Sequence, residues 1–473
     1  MRPHGPQQGS FADLELQAQG RRLEPCLQAI ADLLDQHGEL VELVRQDLVR
    51  GLRRPHVGRD GMTAEQVLRA FVLQRVKDWD LRELRERTDD GYTLRLFTRF
   101  FSTAVPRHDA FHRAFSRLTP ATIRAINDAV IQAAVAAGLE EGTTLRVDTT
   151  VVETNIHYPT DATLLWDCVR VVTRLVGRLA ALRPDVTPHF PNRTRWARRR
   201  MQALQRLTPT QRETQQVPRY RELITGTAQV VQAARAVVLA VAADAERLEP
   251  VAAAQVAAVA QEIGHYCTLT DRVVAQARRR VLEGETVPTA DKLFSIFEPH
   301  TDLIKRNKAR NPVEFGHKIF LAESAIGLIT DYRILAGNPT DDHWVAPSLA
   351  RHQELFGAAP ALYAADRGFY SPATVADCQS AGVATECIPQ RGGTKTAARA
   401  AYEKSRRFKQ GQRFRAGIEG RISVLFRGRG MKRCPLHGRA RFEVFVGAAV
   451  LANNLLVIAA RLQQRAARRR RAA

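Results

Sequence analysis

Two aspartates lie at positions where a carboxylate is either costly to bury or well placed for a functional role. Asp148 interrupts the Val- and Thr-rich run 143-TTLRVDTTVVETN-155, an extended stretch in which a carboxylate is costly to bury without a partner. Asp366 follows the strand-like run 361-ALYAA-365, at the kind of turn where α/β sheets present functional groups. Each also has an ordinary explanation, since Asp148 could be a strand-edge acid and Asp366 a turn former.

A glutamate lies almost alone in a basic stretch. From Arg391 to Arg441 the chain carries sixteen Lys or Arg residues but only two acids, Glu403 and Glu419. A helix is predicted around Glu419 from the apolar spacing of Ile418, Ile422 and Leu425. Its ordinary role would be an i,i+4 pair with Arg415, but a helix that needed only solubility would mix its charges.

Together these acids predict metal-dependent chemistry on DNA. Cleavage of phosphodiesters can use two divalent ions about 3.5–4 Å apart, and Mg²⁺ prefers carboxylate oxygens. Basic residues must then neutralise the phosphates of the approaching DNA. Asp148, Asp366 and Glu419 are therefore the candidate catalytic and metal-binding residues. Gly417 and Gly420 each cost a helix about 1 kcal/mol relative to alanine, so we expect a close approach of backbone or ligand there.

The bulk composition agrees with a polyanionic partner. The chain has 473 residues, 45% hydrophobic residues, a net charge of +22 and a pI near 10.5, and a basic excess of this size favours nucleic acid. We expect no membrane partner, because the longest apolar stretch, 444–460, contains Asn453 and Asn454 and is typical of a core helix. The N-terminus lacks the apolar segment of a signal peptide, so a cytoplasmic location is predicted.

The six scattered cysteines predict free thiols in a reducing compartment. Cys434 and His437 have a metal-like spacing but no second pair nearby, so we interpret them as packing or loop residues.

The first part of the chain is predicted to be helical. Residues 1–58 form an N-terminal helical arm with an amphipathic helix around 23–50, and residues 59–140 form an all-α domain. Capping patterns at Thr63 and Asp80, and Pro120 after Thr119, predict three helix starts. Short arginine-rich helices of this kind favour a helix-turn-helix-like DNA-binding domain, and a plain helical interaction domain is the alternative.

The rest of the sequence is typical of a mixed α/β domain, formed by residues 141–163 and 291–460. A helical insertion at 164–290 interrupts this domain. A basic tail at 461–473 follows it, and we interpret the tail as a disordered arm. In the insertion, 193-RTRWARRR-200 could contact DNA, although a solvated helix face is the favoured interpretation. Asp341 and Asp342 are predicted to cap a helix over 341–354. Strands are expected at 143–155, 293–299, 315–323, 325–335, 361–365 and 383–389.

The set of motifs resembles the DDE transposases of bacterial insertion sequences, most closely the ISNCY grouping. The resemblance rests on 146-RVDTTVVETNIHYPTDATLL-165, 315-FGHKIFLAES-324, 364-AADRGFYSP-372 and 417-GIEGRISVLFRGRG-430, with 59-RDGMTAEQVLRAFVLQRVKDWDLRELRER-87 similar to the helical domain before the catalytic core. It covers about residues 58–460.

This resemblance implies an RNase H-like catalytic fold with Asp148 on its first strand, Asp366 after its fourth and Glu419 on a following helix. It implies that the three acids bind two Mg²⁺ ions, for which Mn²⁺ can substitute, and that a water and later a 3′-hydroxyl attack DNA. Arg415 matches an arginine that holds DNA in related transposases. The chain departs from these families at Gln412 and Phe426, where they carry a tyrosine and a lysine. The predicted DNA-binding residues are Arg367, Arg413, Arg415, Arg421, Arg427 and Lys432.

The implied function is a transposase that binds the terminal inverted repeats of its element and catalyses cleavage and strand transfer. Its partners would be double-stranded DNA, as transposon ends and target, and further copies of itself in a homo-oligomer. Two alternatives are a nuclease on the same fold that cuts without joining and a transposase-derived DNA-binding regulator without catalysis.

Overall fold

The structure of the chain is a computed structural model, and it describes Phe11, Leu14, residues 23–55, Val57, and residues 61–185, 187–244, 248–305 and 313–472. Much of the predicted N-terminal arm, 1–58, therefore lies outside the described residues. The chain divides into two compact units, one comprising 1–153 and 316–473 and the other 154–315. The described part is mixed α/β, with a mostly helical body and a mixed sheet.

The first unit begins with helices. The single helix expected around 23–50 is two helices that end and begin near His37 and Gly38, and five more helices precede the first strand. Their bounds are α1 Pro25–Gln36, α2 Glu39–Val49, α3 Ala64–Lys77, α4 Leu81–Asp90, α5 Tyr92–Thr98, α6 His108–Phe115 and α7 Pro120–Ala136.

The three predicted helix starts in this region are confirmed. Thr63 and Gln66 form a reciprocal capping box at α3, and Asp80 accepts hydrogen bonds from the first backbone amides of α4. Thr119 caps α7, which has Pro120 at its first position. Local sequence decides these starts because the capping side chain satisfies amides within three residues of itself.

The first strand, β1 (Thr144–Thr154), leads into the helical second unit. Its helices are α8 Asp161–Leu182, α9 Thr194–Gln205, α10 Pro209–Ala243 and α11 Pro250–Ala277, and strand β2 is Asp302–Lys305. The helices share one apolar core. Trp196 of the arginine-rich patch packs on α10, where a Cβ on Gly226 would lie 2.1 Å from its ring, while Arg195, Arg198 and Arg199 are exposed. The ring thus belongs to the helix packing, and the favoured interpretation of a solvated helix face describes the three arginines but not the ring.

The strand predicted at 293–299 is wrong, because that segment is irregular and the strand lies at 302–305. Its apolar residues made it resemble a buried strand. Leu293 and Ile296 are buried in the core of the second unit without pairing to a strand.

The sheet of the first unit is formed by β1, β3 (Val313–Ser324), β4 (Ile329–Ile334), β5 (Leu362–Ala364), β6 (Thr385–Cys387) and β7 (Arg433–Cys434), with helices α12 (Val345–Phe356), α13 (Pro372–Ser380), α14 (Ala397–Lys404) and α15 (Arg406–Gly428). With β2 included, the sheet has seven strands in the order β2-β3-β1-β5-β6, and β4 also pairs with β3 and β7 with β1. β3 runs antiparallel to β1 and β4, whereas β5 runs parallel to β1 and β6.

The last helix, α16 (Arg439–Ala472), closes the core of the first unit. Its residues from Val444 to Ala459 pack with the N-terminal helices, and buried Asn454 bonds both backbone groups of Ile329 on β4, at 2.9 and 3.0 Å. The prediction of a core helix over 444–460 is confirmed. The prediction of a disordered tail at 461–473 is wrong, because the described residues 461–472 continue this helix. Alanine and arginine are good helix formers and extend a helix that packing has already nucleated.

Within the part of the chain that the structure describes, two helices are long and apolar enough by composition to cross a membrane, Pro209–Ala243 and Arg439–Arg471. The apolar window of the second is 83% buried inside the protein, as a core helix requires. All six cysteines are free, and Cys434 is buried.

Candidate active site at the ends of two parallel strands

Sheet register brings Asp148 and Asp366 to the same level. In the parallel pair of β1 and β5, Thr144 lies opposite Leu362 and Arg146 opposite Ala364. When the same register is continued by two residues along both strand directions, Asp148 lies level with Asp366. Asp366 leaves the strand and caps a short 3₁₀ turn, Arg367–Phe369, by accepting a hydrogen bond of 2.7 Å from the Gly368 amide.

Helix α15 is fixed across the ends of β5 and β6 by two residues in one turn. The Gln412 amide donates to the carbonyl of Ala365 at 3.1 Å and to that of Cys387 at 2.5 Å. Gly411 lies directly against β6, since a Cβ there would be 2.2 Å from the Cys387 sulfur. One helical turn later, Arg415 therefore lies over the ends of the strands.

The guanidinium of Arg415 contacts all three candidate acids. Its Nη2 lies 3.0 Å from an Asp148 oxygen and 3.9 Å from an Asp366 oxygen, and its Nη1 lies 3.1 Å from Glu419 Oε1. The three side chains differ in exposure, at 13% for Asp148, 38% for Asp366 and 68% for Glu419. Residues far apart in sequence thus meet around one cation, with a buried acid at the bottom and an exposed acid at the rim.

A fourth carboxylate, Asp341, belongs to the same group. It accepts a hydrogen bond of 3.0 Å from the Thr149 hydroxyl and lies 2.8 Å from Lys318 Nζ. A Cβ on Gly368 would lie 2.9 Å from Asp366 Oδ1 and 3.1 Å from Asp341 Oδ2, so glycine is the residue that leaves room for both oxygens. The acids flank this glycine from two sides.

The prediction that Asp341 and Asp342 cap a helix is wrong. The pair opens a 3₁₀ turn, Asp341–Trp344, and neither this turn nor α12 after it begins with a side-chain cap. Capping was the local explanation of the Asp-Asp sequence. It failed because Lys318 and Thr149, more than 20 residues away in sequence, provide the contacts of Asp341.

The site has more negative than positive charge. The pKa of Asp148 is raised to about 6, chiefly by burial and also by Asp366 and Asp341, against the opposing effect of Arg415. The group contains four carboxylates (Asp148, Asp366, Glu419 and Asp341) and two cations (Arg415 and Lys318), which leaves two negative charges in excess when all are ionised. A divalent cation carries the charge that would balance this excess.

A neighbouring ion-pair cluster accounts for Arg421, one of the predicted DNA-binding residues. The Glu323 side chain is fully buried and lies 2.7 Å from Arg146 Nη2 and 2.9 Å from Arg421 Nε. Arg421 also donates to Asn453 Oδ1 at 3.0 Å. Its guanidinium is therefore committed to contacts within the fold.

The same cluster explains one of the two helix glycines. A Cβ on Gly417 would lie 2.1 Å from Arg146 Nη1, whereas Gly420 has open space around it. Close approach is thus observed at Gly417, where the neighbour is an arginine of β1.

The other predicted DNA-binding residues fall into two groups. Lys432 Nζ lies 2.9 Å from Glu153 Oε1 and 5.4 Å from the ring of Phe426. Arg367, Arg413 and Arg427 are exposed, and within the described part of the chain their side chains have no ion pair. These three guanidiniums are available to a polyanion.

The donor type suits a hard divalent ion, because the side chains from β1, the turn after β5 and α15 that face one cation are all carboxylates. In the arrangement shown, that cation is the Arg415 guanidinium. Among the described residues, no group of three or more His, Cys, Asp or Glu side chains is spaced to hold a metal ion.

Sequence reasoning missed Gln412 as an anchor and Glu323 as a buried acid. Glu323 ends the apolar run 319-IFLAES-324, which is the same signal that identified Asp148, so it could have been found. Gln412 gave no such signal, because its partners are backbone carbonyls on two other strands.

The chain matches no family model, no curated protein and no solved structure.

Proposed function

We propose that the protein is a DDE-type transposase that cleaves DNA and transfers strands in a Mg²⁺-dependent reaction. The observation that carries the proposal is the meeting of Asp148, Asp366 and Glu419 around Arg415. Carboxylates gathered beside a basic helix suit chemistry on a phosphodiester, which requires metal ligands and phosphate-binding cations together.

The strand order supports an RNase H-like catalytic domain. Counting β1, β3, β4, β5 and β6 as the five core strands, the order is third-second-first-fourth-fifth, with the second strand antiparallel. Asp148 then lies on the first strand, Asp366 follows the fourth and Glu419 lies on a later helix. These are the positions expected for the three acids of such a domain.

Each element of the site has a role in this function. Asp148, Asp366 and Glu419 would hold two Mg²⁺ ions, which when bound supply an activated water and stabilise the departing oxygen. Asp341 and Lys318 fix the strand ends beneath them, and Gln412 fixes the helix. The exposed Arg367, Arg413 and Arg427 would neutralise phosphates of DNA on the rim of the site. Helices α3 to α7 are proposed to read the ends of the element.

The test is DNA cleavage by purified protein on labelled duplex taken from the boundary of its own gene, with Mg²⁺ or Ca²⁺. We expect wild type to nick one position with Mg²⁺, and Glu419→Gln and Asp148→Asn to lose nicking while still binding the duplex. Glu354→Gln is the matched control, because Glu354 is a helical glutamate paired with an arginine and is 66% exposed, against 68% for Glu419.

The outcomes separate three functions. Nicking followed by joining of a pre-cut end into plasmid DNA supports the transposase. Nicking without joining shifts the assignment to a nuclease, and binding without cleavage under both metals shifts it to a DNA-binding regulator.

A further inference from the structure

The Arg415 guanidinium is held by acids alone. The hydrogen bonds and ion pairs of its head group go to Asp148, Asp366 and Glu419, and its Nε is buried without a hydrogen-bond partner in the described structure. The oxygens that it contacts are the ones that a metal ion at this site would need.

A guanidinium and a metal ion cannot use these oxygens together. Arginine has five N–H donors and no acceptor atom, so it cannot ligate a metal, and like charges a few ångströms apart repel strongly in a partly buried site. Metal binding therefore requires Arg415 to move away from Asp148.

The helix around Arg415 allows such a movement. Glu419, its partner one turn later, is 68% exposed, and the Arg415 side chain is itself 18% exposed, so the contact is open to solvent on the Glu419 side. The displaced guanidinium needs a new anionic partner, and a phosphodiester is a good one, because its two oxygens match the planar guanidinium fork.

We propose that Arg415 is an exchangeable counterion of the acid site, released from Asp148 by a DNA phosphate so that metal ions bind tightly only when DNA is present. This inference rests on the proposed function and adds a regulation of the same site. By linkage, DNA and metal must strengthen each other's binding by the same factor. The device would prevent the protein from assembling a cutting centre in the absence of its substrate.

The first measurement is calorimetric titration of the full chain with Mn²⁺ in the absence of DNA. Wild type is compared with Arg415→Gln, Arg415→Met and Arg406→Gln, the last being an exposed arginine at the start of the same helix. We expect both Arg415 variants to bind Mn²⁺ about tenfold or more tightly than wild type, because a positive charge next to the metal is removed. Arg406→Gln should bind Mn²⁺ as wild type does.

A second titration adds a duplex from the boundary of the gene, with Ca²⁺ as the metal. We expect the duplex to tighten Ca²⁺ binding to wild type about tenfold and to have little effect on the Arg415 variants, in which the counterion is already absent. Thermal melting of each variant checks that it is folded, and two different substitutions at 415 guard against an effect of one side chain.

Failure of this inference can be distinguished from failure of the proposed function. If wild type and the Arg415 variants bind Mn²⁺ equally, and Asp148→Asn abolishes binding, the acid site is real and the counterion proposal is wrong. If no variant binds Mn²⁺ or Ca²⁺ with or without DNA, both the metal site and the counterion role are overturned.

Discussion

Arg421 donates to Glu323 over 2.9 Å, and the Glu323 side chain is completely buried. Arg421 was a candidate DNA ligand because it lies in the basic helix, but this contact makes it part of the core. Removing one partner of a buried ion pair is destabilising, even though Arg146 would still pair with Glu323 in the absence of Arg421.

Arg421→Gln should therefore lower the free energy of unfolding by about 3 kcal/mol, as measured by urea denaturation. Arg427→Gln is the matched control, since Arg427 is exposed on the same helix, and its stability should change by less than about 0.5 kcal/mol. DNA binding, in contrast, should be weakened by Arg427→Gln and not by Arg421→Gln. Arg427→Gln should reduce the slope of log affinity against log salt by about 1. Normal stability of Arg421→Gln would show that Arg421 is not structural.

The two glycines of α15 make a second pair of variants. Gly420→Ala should raise stability by up to about 1 kcal/mol, because alanine favours the helix and the space beside it is open. Gly417→Ala should lower stability by about 1–2 kcal/mol, because its Cβ would displace Arg146 from Glu323 and from the Phe414 carbonyl. Thermal melting compares the two directly, and equal shifts would contradict the close contact at Gly417.

Gln412 should act as a positioning residue for Arg415 and Glu419. Gln412→Ala removes both hydrogen bonds to the ends of β5 and β6, so we expect a loss of about 1–3 kcal/mol in stability and a further loss of Mg²⁺-dependent nicking at temperatures where the variant is folded. Gln410→Ala, at an exposed site two residues earlier, should leave both unchanged. If Gln412→Ala melts at a lower temperature but still nicks DNA as wild type does, Gln412 has only a structural role.

The contribution of His352 to stability should be lost in mildly acidic solution. Its ring is buried, and its Nε2–H donates to the Gly142 carbonyl at 2.8 Å. Burial lowers its pKa below the ordinary 6.5, although the Gly142 bond and Glu140 oppose this. The unfolded chain thus takes up a proton near pH 6.5 that the folded chain resists, and stability is lost as the pH falls through that value.

The measurement is the free energy of unfolding between pH 7.5 and 5. His352→Gln should remove up to about 1.4 kcal/mol per pH unit from the slope of wild type, whereas a substitution of the exposed His343 should leave the slope unchanged. Parallel curves for wild type and His352→Gln would contradict the prediction.

Local patterns were enough to predict where many elements begin and end. The helix starts at the capping residues Thr63, Asp80 and Thr119 are observed as predicted. Such features depend on hydrogen bonds and apolar spacing within a few residues. The segment 293–299 shows the limit, since its apolar residues are equally suited to a strand and to a buried irregular segment.

The sequence by itself determined which side chains are unusual, namely an acid in a Thr- and Val-rich strand, an acid after a strand and a glutamate in a basic helix. Only the tertiary structure decided which of them meet and which arginines remain exposed. The parallel register of β1 with β5 sets Asp148 level with Asp366, and the anchoring of Gln412 sets Arg415 and Glu419 above them. Arg421 and Arg427 look alike in the sequence, yet one faces buried Glu323 and the other faces solvent. Contacts of this kind join residues that are 25 to 267 positions apart, and their pairing depends on strand register and helix packing, which no short stretch of sequence specifies.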